Sequence, residues 1–285
     1  MTEKILVTPQ ELATHLNDEN WIIFDCRHTL ADPDIGQEFY DEHHIPGARF
    51  AHLERHLSAP ASSADGRHPL PDEMAFIRWL GAQGVTTEHT VVAYDDTSST
   101  FAARLWWMLK HLLGHEKVYL LDGGLPAWEQ ENLPQNAELP EISPATYHGK
   151  YNLSCLVTLE QLQTMRETPG TILVDVRGKE RYTGEKEPLD PVAGHIPGAI
   201  NMPFQGNVDD AGRFLPAETL KNRHQPLTAA NNPNQVILYC GSGVTACHGL
   251  LGMVLGGLPA GRIYVGSWSQ WCADASRPVA TGVNS

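Results

Sequence analysis

Hydrophobic positions in this chain come in short continuous runs rather than in one long segment. "WIIFD" at 21–25, "VVAYD" at 91–95, "VYLLD" at 118–122, "TILVD" at 171–175, "VILYC" at 236–240 and "IYVGSW" at 263–268 each read as a buried strand. Between them lie stretches with apolar residues at helical spacing, such as "PDEMAFIRWLGAQG" at 71–84 and "STFAARLWWMLKHLLG" at 99–114. Apolar strands alternating with amphipathic helices predict α/β architecture, with mostly parallel sheets covered by helices on both faces.

The pattern occurs twice. "LVTPQEL" at 6–12 is answered by "LVTLEQL" at 156–162, and "WIIFDCR" at 21–27 by "TILVDVR" at 171–177. "HHIPGARF" at 43–50 is answered by "GHIPGAIN" at 194–201, and "TVVAYDD" at 90–96 by "QVILYCG" at 235–241. A constant order and an offset of about 150 residues indicate an internal duplication, with repeats long enough to be domains rather than solenoid units. The Pro- and Glu-rich stretch "ENLPQNAELPEISPATYHGKY" at 131–151 has no periodicity and reads as the join. The expected domains are therefore 1–145 and 146–285.

Composition narrows the partners. The 285 residues carry 20 Lys+Arg against 34 Asp+Glu, a net charge of −14, which repels nucleic-acid phosphates and anionic membranes. No apolar run is long enough to span a bilayer, and "MTEKILVTPQEL" lacks the pattern of a secretory signal, so a cytoplasmic protein is expected. Five cysteines, Cys26, Cys155, Cys240, Cys247 and Cys272, are odd in number and show no C-x-x-C spacing. Neither a disulfide framework nor a metal site is expected, and one thiol is free to do chemistry.

Cys240 is that candidate. It ends a strand and is followed by Gly241, Ser242 and Gly243, with a helix expected to begin near Val244. Backbone N–H groups and the positive helix end then converge on the sulfur and favour thiolate over thiol. The glycines let the backbone approach closely, and Ser242 adds a hydroxyl. A cysteine-dependent phosphatase requires an arginine six positions after the cysteine to grip phosphate; Ala246 stands there. Attack on a sulfur atom, leaving a persulfide held by the loop, is the reading that survives.

The duplicated pattern, the "GHIPGA" segment and the loop "CGSGVTA" together resemble the rhodanese superfamily, in particular its two-domain sulfurtransferases, over essentially the whole chain. The resemblance implies two tandem rhodanese-like domains, of which only the second is catalytic. Asp95 in the first half occupies the position of Cys240, as a silent copy would have it. The loop Cys-Gly-Ser-Gly-Val-Thr is similar to that of 3-mercaptopyruvate sulfurtransferases, whereas thiosulfate-type rhodaneses carry Arg and Lys after the cysteine. The implied activity is transfer of sulfur from 3-mercaptopyruvate through a Cys240 persulfide to a thiol such as thioredoxin, or to cyanide, without metal or organic cofactor. A thiosulfate:cyanide sulfurtransferase and a non-catalytic sulfur-carrier or binding module are the alternatives.

The same resemblance assigns site residues. Gly241, Gly243, Val244 and Thr245 complete the loop with Cys240 and Ser242, and Arg181 in "GKERYTGE" holds the donor's carboxylate. A second family arginine falls where this chain reads "KEPLDP", leaving that cation unassigned, with Lys186 as a candidate. A Ser-His-acid relay reaching from the first domain is implied: Ser242, His68 in "GRHPLP", and an acid that is Glu54 or the nearby Asp65. Asp25 and Arg27, repeated as Asp175 and Arg177, occur in the silent half too and are read as fold-maintaining. Cys247, seven residues after Cys240 along the expected helix, belongs to a packed face; Cys26, Cys155 and Cys272 are read as structural.

Overall fold

The computed structural model describes residues 4–230 and 232–283. The chain forms two compact units. The first comprises residues up to Ala59, Leu70–Asn152 and the short segment Val208–Phe214; the second comprises Pro60–Pro69, Leu153–Asn207 and Leu215 onward. The second unit is therefore not one continuous stretch: ten residues from the early part of the sequence are built into it.

In the first unit, strands β1 (Leu6–Val7), β2 (Trp21–Asp25), β3 (Arg49–Phe50), β4 (Thr90–Tyr94) and β5 (Val118–Leu121) form a sheet in the order β1-β5-β4-β2-β3. All its pairings are parallel. The helices are α1 (Pro9–Ala13), α2 (Ile35–Glu42), α3 (Glu73–Ala82), α4 (Ala102–Trp107) and α5 (Gly124–Gln130). The long helical stretch expected over 99–114 is shorter as an α-helix, because it widens into a π turn at Met108–Leu112. Its run of Trp106, Trp107, Met108 and Leu109 is wholly buried, as apolar residues on every side of a helix require.

The second unit repeats the plan with β6 (Ile172–Asp175), β7 (Ala199–Asn201), β8 (Val236–Tyr239) and β9 (Arg262–Ile263), again parallel, in the order β7-β6-β8-β9. Its helices are α6 (Leu159–Met165), α7 (Lys179–Thr183), α8 (Ala217–His224), α9 (Thr245–Leu255) and α10 (Ser267–Trp271). Leu173, Ile237, Tyr239, Trp268 and Trp271 are among the residues that close its core.

The duplication extends to individual hydrogen bonds. Thr8 caps α1 by accepting the Glu11 N–H, and Thr158 caps α6 by accepting that of Gln161. In one unit Arg27 bonds Asp25 and the carbonyls of Phe39 and His43; in the other Arg177 bonds Asp175 and the carbonyl of Gly194. The Tyr94 and Tyr239 hydroxyls accept the N–H groups of Ile45 and Ile196. His44 and His195, from the two "HIPGA" segments, stack on Tyr40 and Tyr182 and bond those residues' carbonyls through Nδ1 at 2.7 Å. The Asp, Arg, Tyr and His groups of this set are buried, and each finds a partner inside its own unit, which accounts for their recurrence in both halves.

Candidate active site

Cys240 follows directly on β8, and α9 begins at Thr245, so the loop 240–244 lies at the carboxyl end of a central strand. The thiol is almost fully buried, at 2% exposure. The Gly243 N–H donates to its sulfur at 3.1 Å. The N–H groups of Ser242, Val244 and Thr245 have no acceptor among the described residues, so further donors are available where the loop enters the first turn of α9. Gly243 has φ +81°, and a Cβ there would stand 2.4 Å from the Val265 carbonyl oxygen; no side chain fits.

The first turn of α10 clamps this loop. Trp268 N–H donates to the Cys240 carbonyl at 3.0 Å and Ser269 N–H to that of Gly241 at 2.9 Å. Ser267, fully buried and at φ +53°, accepts the Cys240 N–H through Oγ at 3.1 Å, and Oγ lies 4.0 Å from the sulfur. Its hydroxyl proton goes to the Tyr264 carbonyl. Ser267 was not among the residues singled out from sequence; the only trace it leaves there is a polar residue inside an otherwise apolar run. From the far side of the loop, the Cys247 thiol donates to the Gly243 carbonyl at 3.4 Å.

Segment Pro60–Pro69 brings His68 to the loop. His68 Nδ1 and Ser242 Oγ share a 2.7 Å hydrogen bond, with both residues buried. The segment is fixed on the chain around α10: the Arg67 N–H donates to Ser269 Oγ, and Gln270 donates to the Ala64 carbonyl. Asp65 lies in an exposed turn of this segment, where its carboxylate accepts the Ser62 hydroxyl at 2.7 Å. Glu54 belongs to the first unit, on an exposed turn. The second unit thus brings together Cys240, Ser242 and His68, with Asp65 on the same segment as His68.

Arg181, at the end of α7, lies beside Gly241: a Cβ on that glycine would stand 3.3 Å from both of its terminal nitrogens. Its guanidinium forks onto Glu187, with contacts of 2.7 to 3.1 Å, and reaches Asp190 at 3.0 Å. Burial raises the Glu187 carboxyl, but bonds from Arg181 and the N–H groups of Leu189 and Asp190 outweigh it and hold it low. For Asp190 burial wins over the arginines and the carboxyl is raised. Lys186 is exposed, and its backbone rather than its ammonium is what bonds here, to the Glu180 carbonyl. A different cation is present: Arg67 Nη2 would stand 2.8 Å from the same Gly241 Cβ. Sequence reasoning passed over Arg67 although it adjoins His68.

The first unit shows what this geometry holds when the sulfur is replaced. Asp95 follows β4 as Cys240 follows β8, is fully buried, and accepts four backbone N–H groups: Thr97 and Ser99 on one oxygen, Phe101 and Ala102 on the other, all at 2.8 to 2.9 Å. Burial pushes its carboxyl up to about 6 against the pull of those N–H groups. Its loop is filled by its own carboxylate.

The frame that carries this buried thiol, a duplicated parallel α/β fold, is matched by comparison with known proteins. The model of the rhodanese-like domain matches residues 8–131 and again 158–274. The chain belongs to the rhodanese family. A Pseudomonas aeruginosa protein named "Probable 3-mercaptopyruvate sulfurtransferase" is 46% identical to it over 99% of this chain and 100% of that one. A mouse thiosulfate sulfurtransferase is 36% identical over 81% of this chain and 78% of its own. Among solved structures, the 3-mercaptopyruvate sulfurtransferase from Leishmania major superposes with a TM-score of 0.80 at 30% identity, covering 93% of this rhodanese-family chain and 73% of the other. No helix among the described residues is long and apolar enough to cross a membrane.

Proposed function

We propose that this chain is a 3-mercaptopyruvate sulfurtransferase whose second unit is catalytic and whose first is a silent copy. The observation that carries the reading is the buried Cys240 sulfur accepting the Gly243 N–H in its loop, with Ser242 of the same loop bonded to His68, in a chain 46% identical over 99% of its length to a protein named for that activity. The Cys240 thiolate attacks the thiol sulfur of 3-mercaptopyruvate. An S–S bond forms, the C–S bond breaks, and its electron pair leaves on the enolate of pyruvate. Cys240 now carries a persulfide, whose outer sulfur is stabilised by the donors of Ser242, Gly243, Val244 and Thr245.

Ser242 and His68 are the proton path from solvent to the leaving enolate, which becomes pyruvate on protonation. Glu54 and Asp65 are the two acids that the family resemblance offers to complete this relay. Arg181 holds the donor's carboxylate. A thiol acceptor such as thioredoxin then attacks the outer sulfur and regenerates Cys240, giving ping-pong kinetics. No disulfide joins cysteines among the described residues, which suits the reducing cytoplasm where we place the protein. Replacement of Cys240 by Ser should abolish pyruvate formation while leaving the melting temperature within a few degrees; turnover retained by that variant contradicts the reading and favours a carrier or binding role.

A further inference from the structure

We infer that Arg67 is the second cation of the donor site and that Asp190, which bridges Arg67 and Arg181, sets the charge of the donor accepted. The inference rests on Cys240 being the sulfur-accepting nucleophile. Its basis is convergence on one point. Gly241, next to Cys240, is closely covered: Arg67 Nη2 lies 2.8 Å, and Arg181 Nη1 and Nη2 3.3 Å, from where its Cβ would be. Two guanidinium groups therefore cover the backbone beside the reactive sulfur, and both are part-exposed, at 28% and 20% of their side chains, so a solute can reach them.

Both are also held. Asp190 bonds Arg67 through Oδ1 and Arg181 through Oδ2, and Glu187 forks onto Arg181. The two carboxylates are only 3% exposed and lie away from solvent behind the arginines. Nη2 of Arg67 and Nη1 of Arg181 make no hydrogen bond among the described residues. Both nitrogens lie within 3.3 Å of one point beside Gly241, where a carboxylate can accept from them.

The formal charge of the four groups cancels. A donor with one negative charge and a planar carboxylate gains directed hydrogen bonds from this arrangement. A dianion such as thiosulfate meets the same donors without a net positive field to offset its second charge. Specificity here comes from the buried anions behind the cations as much as from the cations themselves.

The test is steady-state kinetics with 3-mercaptopyruvate, thiosulfate and the carboxylate-free analogue 1-mercaptopropan-2-one. It uses the full chain and its R67M, R67K and D190N variants, with Cys240 persulfide read by intact mass. R67M should raise KM for 3-mercaptopyruvate roughly tenfold or more, the loss falling on KM more than on kcat, and R67K should recover part of it. Discrimination between 3-mercaptopyruvate and the carboxylate-free donor should shrink by a similar factor. D190N should raise the thiosulfate to 3-mercaptopyruvate ratio of kcat/KM roughly tenfold. If R67M leaves that discrimination within twofold, or slows all three donors equally, Arg67 is not a donor ligand. An unchanged donor ratio in D190N removes the charge argument. Absence of persulfide in the unsubstituted protein with every donor overturns the underlying assignment itself, which separates the two failures.

Discussion

Cys240 owes its surroundings to residues that have no reactive groups. Gly243 lets its N–H reach the sulfur only because φ +81° and the 2.4 Å approach of the Val265 carbonyl exclude any Cβ. Gly243→Ala therefore forces a left-handed alanine, costing about 1–2 kcal/mol before the clash is counted. It should lower kcat/KM by two orders of magnitude or more while Cys240 remains titratable by thiol reagents in the unfolded protein. His68→Asn, which removes the imidazole from Ser242, should reduce kcat about a hundredfold, with the rate of pyruvate release as the readout. Wild-type kcat in that variant would leave His68 with only a bracing role.

Asp95 offers the complementary experiment, because it binds the same kind of N–H array with a fixed carboxylate. Asp95→Ala strips four backbone donors of their acceptor. It should destabilise the protein by about 2–4 kcal/mol in urea unfolding, whereas a stability change under about 0.5 kcal/mol would mean that water replaces the carboxylate without loss.

At the scale of elements, the reading from sequence succeeded where the pattern was local. The strand before Cys240, the start of α9 and the paired "HIPGA" segments depend on contiguous residues, and each is where the apolar runs and glycines place it. It failed where a helix changed its winding, at Met108–Leu112, since period alone does not separate an α turn from a π turn. It also missed Arg67 and Ser267. Nothing in a linear reading says that an arginine 174 positions earlier lies against Gly241. The adjacent His68 was legible only through family resemblance.

The buried Asp-Arg pairs behave as elements of the frame. Arg177 also lies over the Trp268 ring at 4.8 Å, joining the sheet to α10 and hence to the clamp on Cys240. Removing one partner, as in Asp25→Asn in the silent unit, leaves an uncompensated buried guanidinium. It is expected to cost about 3–5 kcal/mol in unfolding free energy.

For the whole molecule, burial of histidines dictates how stability varies with pH. Burial lowers His28, His56 and His224 to about 4, and lowers His52, His89, His115 and His195 as well. Between pH 6.5 and 4 the unfolded chain binds protons that the folded chain refuses, so these groups contribute stability above that window and lose it as pH falls. Asp95, raised to about 6, with Asp96 and Asp190 also raised, acts in the opposite sense: its contribution is present at low pH and disappears as pH rises through 6. The histidines are the more numerous, so the melting temperature should fall between pH 7 and pH 5. A higher melting temperature at pH 5 would show that the carboxyls dominate.

Intact-protein mass, taken before and after mixing with 3-mercaptopyruvate and again after cyanide, tests the central claim most directly. The account predicts a gain of one sulfur atom, located on Cys240 and absent in the Cys240→Ser variant, that cyanide removes, and that forms faster with 3-mercaptopyruvate than with thiosulfate. No mass gain with either donor, or a gain that persists in Cys240→Ser, would contradict it.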